Sequence, residues 1–68
     1  MNYTIEIEEE EDGRIIGEIV ELPGVLVYGE TREEVVHKVQ ALALRVIADR
    51  LEHEEEASPL LNLSFVAP

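Results

Sequence analysis

The apolar residues of this 68-residue chain change their spacing once, from a period of two to a period near 3.6, and that change limits its possible folds. Near the amino terminus Tyr3, Ile5 and Ile7 alternate with polar residues, as in a strand with one face in a core. Farther along, apolar residues repeat at the i, i+3, i+4, i+7 spacing of a helix face: Val35, Val36, Val39, Leu42, Ala43, Val46 and Ile47. A sheet covered by one helix satisfies both patterns.

Two turn signals divide the segment before the helix into three strands. Asp12-Gly13 predicts a hairpin that joins antiparallel strands at about 2–9 and 13–21. Leu22-Pro23-Gly24 ends the second strand, because proline lacks an amide hydrogen and glycine admits positive φ. A third strand is therefore expected at about 24–29.

A capping box marks the start of the helix, which is expected over about 32–53. The Thr31 hydroxyl would accept the amide of Glu34, and the Glu34 carboxylate would reach back to the Thr31 amide. A run of glutamates over 52–56 opposes the helix dipole, so the helix should end there. Alternating apolar residues after Ser58-Pro59 predict a fourth strand at about 60–66.

The order of these elements predicts a β-β-β-α-β chain with a mixed sheet. A helical crossover normally returns the chain parallel to the strand it left, so the fourth strand should run parallel to the third and the first. Its expected place is beside the first strand, whose outer edge is free. We therefore expect an α+β fold, a two-layer sandwich in which one helix covers a four-stranded sheet of order 3-2-1-4, with residues 1–68 forming a single domain.

Composition narrows the classes of partner. The chain carries 16 acidic and 5 basic residues, a net charge of −11, and no cysteine. Nucleic-acid binding needs a footprint of Lys and Arg, so we expect no direct nucleic-acid contact and consider a basic protein partner a better fit. No apolar run approaches a membrane span and the amino terminus lacks the layout of a signal peptide, so a cytoplasmic protein without membrane contact is expected.

Four short motifs, in this order, resemble the amino-terminal domain of HicB-type antitoxins. They are a Tyr-x-Ile-x-Ile-Glu strand, an Asp-Gly hairpin, a Leu-Pro-Gly turn and a Gly-x-Thr-x-Glu-Glu helix start, at residues 3–8, 12–13, 22–24 and 29–34. The similarity covers roughly residues 3–51. Glu21 and Val25 stand where family members often have Asp and Cys, which keeps the charge and the small apolar side chain.

The resemblance implies a partial ribonuclease-H-like fold and a partner. Domains of this family bind and block HicA, a small basic ribonuclease toxin whose own fold resembles a double-stranded-RNA-binding domain. Many family members also carry a DNA-binding segment after this domain, and none is recognised after residue 51 here. The HicB-like function expected of this chain is therefore toxin binding without DNA regulation.

Two surfaces are candidates for contact with such a partner. The acidic hairpin, with Glu8, Glu10 and Asp12, could steer a cationic protein, although edge glutamates also simply prevent strand-to-strand aggregation. The turn with Glu21, Leu22 and Pro23 could present an apolar tip, or could do no more than aim the third strand. Residues 1–34 hold net charge −9 of the total −11, which favours the first half of the chain as the partner-binding half.

An alternative function is a self-associating structural or adaptor domain that has no toxin partner. A core this small gains little net stability, which favours a homodimer or a higher assembly. A second apolar line on the helix would supply the interface: Ala41, Leu44, Ala48 and Leu51.

An enzyme is not expected. Glu6 and Glu8 share a strand face at the i, i+2 spacing and could share a cation, but a solvated polar face explains them better. His37 and His53 have no nucleophile placed beside them, and the acidic hairpin lacks the ligand pattern of an EF-hand loop. The sequence therefore predicts no catalytic residues, no metal site and no cofactor.

Overall fold

Within the part of the chain that the structure describes, a mixed sheet and one helix form two layers. The computed structural model describes residues 2–53 and 62–67. The elements are β1 (Asn2–Glu9), β2 (Ile15–Ile19), β3 (Leu26–Gly29), α1 (Arg32–Glu52) and β4 (Ser64–Val66). The strand order is β3-β2-β1-β4, with β4 parallel to β1 and the other pairs antiparallel, so the predicted fold class and topology are confirmed.

The alternation in β1 sends its odd-numbered residues toward α1. Tyr3 and Ile5 are 4% and 1% exposed, and Ile7 packs beside them against the same core. The buried residues of α1 lie one or two turns apart on the face toward the sheet: Val35, Val39, Ala43 and Ile47. At the β4 end of the core the rings of Tyr3 and Phe65 pack with their centroids 6.0 Å apart.

α1 approaches the sheet most closely over Gly17 in β2. A methyl group added to Gly17 would overlap Cγ1 of Val35, and one added to Gly29 would lie 2.8 Å from the other Val35 methyl. Both glycines are buried, and Val35 is fully buried between them. The absence of a side chain at residue 17 is therefore what lets the first turns of α1 pack directly on the strands.

The hairpin between β1 and β2 is a three-residue loop that ends at a glycine. Gly13 donates to Glu10 O at 3.0 Å, and Glu10 donates to Arg14 O at 2.7 Å. Gly13 has φ of 90°, a conformation that costs glycine little because it lacks Cβ. Asp12 accepts the Arg14 amide with Oδ1 at 3.0 Å, so Asp12 and Gly13 together define the turn.

The second turn is built around Leu22, which is buried. Leu22 donates to Ile19 O at 3.2 Å and its own carbonyl accepts the Val25 amide at 3.0 Å. Gly24 has φ of 93°, as the position after proline in a type II turn requires. The side chain of Leu22 is 1% exposed in the core, so the interpretation of this turn as an apolar tip for a partner is wrong at Leu22. Pro23 stays exposed.

The start of α1 follows the predicted cap with one change. Thr31 Oγ1 accepts the Glu34 amide at 3.1 Å, as expected of the capping residue. Glu34 Oε2, however, accepts the amide of Glu30 at 2.9 Å, one residue before the predicted partner. Lys38 Nζ lies 2.9 Å from the other Glu34 oxygen, so the carboxylate is held between a backbone amide and a cation. These contacts lower the pKa of Glu34, the Glu30 amide most of all.

The element bounds agree with the sequence for β1 and differ at the turns. β2 covers 15–19 rather than 13–21, because Gly13 ends the hairpin loop, Arg14 closes it by accepting the Glu10 amide, and the turn around Leu22 begins at Ile19. β3 starts at Leu26 rather than 24, and α1 ends at Glu52 with His53 as its C-cap. β4 is described for Ser64–Val66, and the first part of the strand predicted at 60–66 lies outside the described residues.

Candidate functional site

The side of the sheet that faces away from α1 is an exposed surface with a regular arrangement of side chains. We call it the open face, and among the described residues it comprises Asn2, Thr4, Glu6, Glu8, Ile16, Glu18, Leu26, Tyr28, Ser64 and Val66. The two residues on β3 are apolar or aromatic, with Leu26 43% exposed and Tyr28 44% exposed. The open face therefore has an apolar edge on β3 and an acidic middle on β2 and β1.

Three carboxylates surround one isoleucine in the middle of the open face. Glu6 of β1 lies directly opposite Glu18 of β2, and Glu8 lies opposite Ile16. The same residues line a shallow, open depression. Like charges directly opposite each other on a sheet destabilise it, so this arrangement costs the fold stability.

Arg14 stands at the margin of the open face and is already held. Its Nε lies 2.8 Å from Asp12 Oδ2, and its guanidinium carbon lies 4.8 Å from the centroid of the Tyr28 ring. The amide and the side chain of Arg14 both lower the pKa of Asp12, with the backbone hydrogen bond as the larger cause. The Asp12 carboxylate is therefore already bonded to the backbone amide and the side chain of Arg14, and its charge is partly neutralised.

Glu21 closes the gap where β2 turns away from β1. Its carboxylate accepts the Thr4 amide at 2.8 Å and the Thr4 hydroxyl at 2.9 Å. The Thr4 amide is the main cause of the lowered pKa of Glu21, with its hydroxyl a lesser contributor. A strand amide that has lost its β2 partner is thus satisfied by a side chain, and Glu21 has a structural role that its sequence context did not reveal.

Charge is divided unequally between the two layers. Residues 2–31 carry nine acidic side chains and a single basic one, Arg14. α1 carries four basic and four acidic side chains and is neutral overall. The anionic character of the described residues therefore belongs to the sheet and its connecting loops rather than to α1.

No family model, curated protein or solved structure matches this chain.

Across residues 2–53 and 62–67, no helix has the length and apolar character needed to cross a membrane. The same part of the chain contains no group of three or more His, Asp or Glu side chains arranged to hold a metal ion.

The predicted partner-binding residues fall into two groups at opposite ends of β2. Glu8, Glu10 and Asp12 lie together at the hairpin end, where Glu10 is half-buried and the other two are exposed. The second group lies beyond the other end of the strand, with Leu22 buried between two exposed neighbours: Glu21 and Pro23. The structure brings the first group next to the open face, whereas in the second group the Glu21 carboxylate is bonded to Thr4 and Leu22 is buried.

All four residues of the predicted helix interface are exposed. Leu44 is 47% exposed and Leu51 is 42% exposed, and Ala41 and Ala48 alternate with them along the outer side of α1. The line runs along the helix away from the buried stripe, as its spacing indicated.

Glu18, Ile16 and Tyr28 were not predicted to lie together on an exposed face of the sheet, although the sequence contains evidence for this placement. Ile15 and Ile16 are consecutive, so one of them must lie on the face opposite the core. The stretch Val25–Tyr28 is apolar at four successive positions, which likewise places apolar side chains on both faces of β3. Reading both faces of every strand would have located the open face.

Proposed function

We propose that this chain is a HicB-like antitoxin domain, an inhibitory binding module that blocks a small basic ribonuclease of the HicA type by direct contact. The observation that carries the proposal is the division of charge, in which the sheet and hairpin are strongly anionic and α1 is neutral. Three of the four motifs that resemble HicB-type antitoxins lie in this same anionic part of the molecule, and the fourth begins there and continues into α1. No cofactor and no turnover are involved.

The acidic surface suits this task for an electrostatic reason. A ribonuclease that binds RNA must present Lys and Arg to phosphates, and a protein surface of opposite charge competes for the same groups. Glu6, Glu8 and Glu18 supply that charge on a rigid sheet, with no basic side chain among them. Complementary potential speeds association, so the rate of complex formation should fall as salt rises.

The first test is capture of the native partner. Tagged protein is incubated with extract of its own host, washed at graded salt, and the bound proteins are identified by mass spectrometry. We expect a small basic protein at about one-to-one stoichiometry, lost progressively as salt weakens the attraction. The captured protein should cleave RNA, and added antitoxin domain should stop the cleavage. Recovery of no basic protein would overturn the proposal.

A pair of variants tests whether the open face is responsible. Glu6→Gln with Glu18→Gln removes two charges from the open face, and Glu33→Gln with Glu52→Gln removes two charges from α1. The first pair should weaken binding of the captured protein by about tenfold or more and flatten its salt dependence, whereas the second should change it little. Equal effects would mean that only total charge matters, and the open face would lose its role.

Neutralising Glu8, Glu10 and Asp12, the hairpin residues predicted to contact the partner, should likewise weaken toxin binding and flatten its salt dependence. Asp12 is less suitable than the other two, because it holds Arg14 and the hairpin turn. A Glu8→Gln and Glu10→Gln variant keeps that turn intact and tests the same hairpin.

A second candidate function is a self-associating structural or adaptor domain without a toxin. The exposed line of Ala41, Leu44, Ala48 and Leu51 favours it, since small residues beside leucines allow two helices to pack closely. Capture of nothing except further copies of the chain would support this candidate over the antitoxin.

A further inference from the structure

β1 is longer than the strands that flank it, and its two sides are covered over different lengths. On one side β2 pairs with residues 5–9 of β1. On the other side β4 pairs only with Asn2, Tyr3 and Thr4. Among the described residues, the second half of β1 therefore has a strand on one side only.

The register shows which backbone groups face the uncovered side. Thr4 O accepts the Val20 amide at 3.2 Å, and Glu10 donates to Arg14 O at 2.7 Å, so the even-numbered residues of β1 bond toward β2. In an antiparallel pair the intervening residues direct their amide and carbonyl groups to the other side. The groups of Ile7 and Glu9 therefore face away from β2, beyond the end of β4. We call them the β1 edge.

Two other strand groups that lack a backbone partner are bonded by side chains. Glu21 accepts the Thr4 amide at 2.8 Å where β2 turns away. On the outer strand β3, Lys38 Nζ donates to Tyr28 O at 3.1 Å. The β1 edge has no described strand beside it, so it presents the donors and acceptors that pair with a further strand.

We propose that the β1 edge accepts a β-strand from the partner protein, and that this strand alternates basic and apolar residues. On the open-face side of the sheet its side chains would lie beside Glu6 and Glu8, which favours Lys or Arg. On the α1 side they would lie beside Ile7 at the margin of the core, which favours an apolar residue. Backbone hydrogen bonds supply affinity and the alternating side chains supply specificity.

Charge selects this occupant over a second copy of the chain. Two β1 edges paired with each other would bring the Glu6 and Glu8 side chains of both copies onto one surface without a cation between them. Like charges across a strand pair are destabilising, whereas a basic strand neutralises them. The inference rests on the proposed function in one respect, since it places the contact of the basic partner beside the open face.

The test uses a synthetic eight-residue peptide of alternating Lys and Val, with alternating Lys and Gly as its equally charged control. Binding is followed by fluorescence anisotropy and by amide exchange of the full chain in NMR spectra. The Lys-Val peptide should bind and slow exchange of the Ile7 and Glu9 amides by about tenfold or more, because both become hydrogen-bonded. Unchanged exchange at saturating peptide would overturn the proposal.

Two variants of Glu9 separate the contribution of its backbone amide to peptide binding from that of its side-chain charge. Glu9→Pro removes an outward amide that no described strand uses, and Glu9→Gln removes the same charge but keeps that amide. Glu9→Pro should lose about tenfold in peptide affinity relative to Glu9→Gln, with circular dichroism and urea midpoints confirming that both are folded. Equal affinity of the two folded variants would rule out strand addition. If Glu9→Pro does not fold, the exchange measurement on the native chain decides.

The outcomes distinguish this inference from the proposed function. If the native basic partner binds both Glu9 variants equally while the Glu6 and Glu18 variant fails, the antitoxin function stands and strand addition falls. If the peptide protects the β1 edge but host extract yields no basic protein, strand addition stands and the antitoxin function falls. Protection of the same amides that depends on protein concentration, without peptide, would identify a second copy as the occupant and would overturn the proposal.

Discussion

At the scale of single residues, the closest packing in the molecule depends on a side chain that is absent. Gly17 is buried beneath Val35, and any β-carbon at residue 17 would overlap Val35 Cγ1. Close-packed cores do not absorb an extra methyl group without moving a strand or a helix. The distance between α1 and β2 is thus set by this pair.

The pair predicts a non-additive response to mutation. Gly17→Ala should destabilise the fold by about 1–3 kcal/mol through overpacking, and Val35→Ala should cost about 2 kcal/mol through the cavity it leaves. In the double variant the new methyl group enters the space left by valine. The double variant should therefore lose about 1 kcal/mol less free energy of unfolding than the sum of the losses in the two single variants. Urea unfolding of the four proteins measures this coupling, and simple additivity would contradict it.

Glu21 predicts a pH dependence with a definite sign. Its pKa in the folded chain lies below the usual 4.5, chiefly because the carboxylate accepts the Thr4 amide. The unfolded chain therefore binds more protons near that pH, and the stabilisation is present above 4.5 and lost as pH falls through the folded-state pKa.

We expect Glu21→Gln to be less stable than the native chain at neutral pH, with the difference shrinking as the pH falls below 4.5. Urea midpoints across this range measure it. Glu11→Gln, in the exposed hairpin loop, controls for the loss of one negative charge. A difference that stays constant down to acid pH would show that the Thr4 contact does not depend on ionisation.

At the scale of elements, the order and pairing of the strands could be predicted because each depends on local signals. The alternation of Tyr3, Ile5 and Ile7, the Asp12-Gly13 hairpin and the crossover rule together specify the sheet. The burial of Leu22 could not be predicted, since a leucine before Pro-Gly in a turn looks the same whether it points inward or outward.

The candidate site was harder to predict than the fold for a related reason. Glu18 lies opposite Glu6 only because of the register between β1 and β2, which the hairpin loop of three residues sets. The contact between Glu21 and Thr4 joins residues 17 positions apart and follows no local pattern. Tertiary geometry, rather than residue type, decides which acidic side chains are structural and which are available.

The cap of α1 gives a prediction at this scale. Thr31→Ala removes the oxygen that accepts the Glu34 amide and should destabilise the fold by about 1 kcal/mol. Thr31→Ser keeps that oxygen and should lie close to the native chain. Thermal or urea unfolding distinguishes them, and equal losses in both variants would mean that the threonine methyl, not the cap, is what matters.

At the scale of the whole molecule, the outer side of α1 predicts self-association. If Ala41, Leu44, Ala48 and Leu51 form an interface, the native chain should scatter light as a dimer or larger, and Leu44→Glu should lower the measured mass. Arg45→Glu changes a neighbouring exposed side chain off this line and should leave the mass unaltered. A native chain that is already monomeric across the measured concentrations would reject this interface.

The pairing of β4 with β1 has a consequence for the order in which the chain folds. Ser64 Oγ donates to Asn2 Oδ1, a contact between residues 62 positions apart, whereas β1, β2 and β3 join through short turns. Closing so long a loop carries an entropic cost that the hairpins avoid, so β4 should dock after the three-stranded meander and α1 have formed. Truncating the Phe65 side chain, as in Phe65→Ala, should then speed unfolding far more than it slows refolding in stopped-flow experiments. A variant that mainly slows refolding would show instead that β4 docks at the beginning of folding.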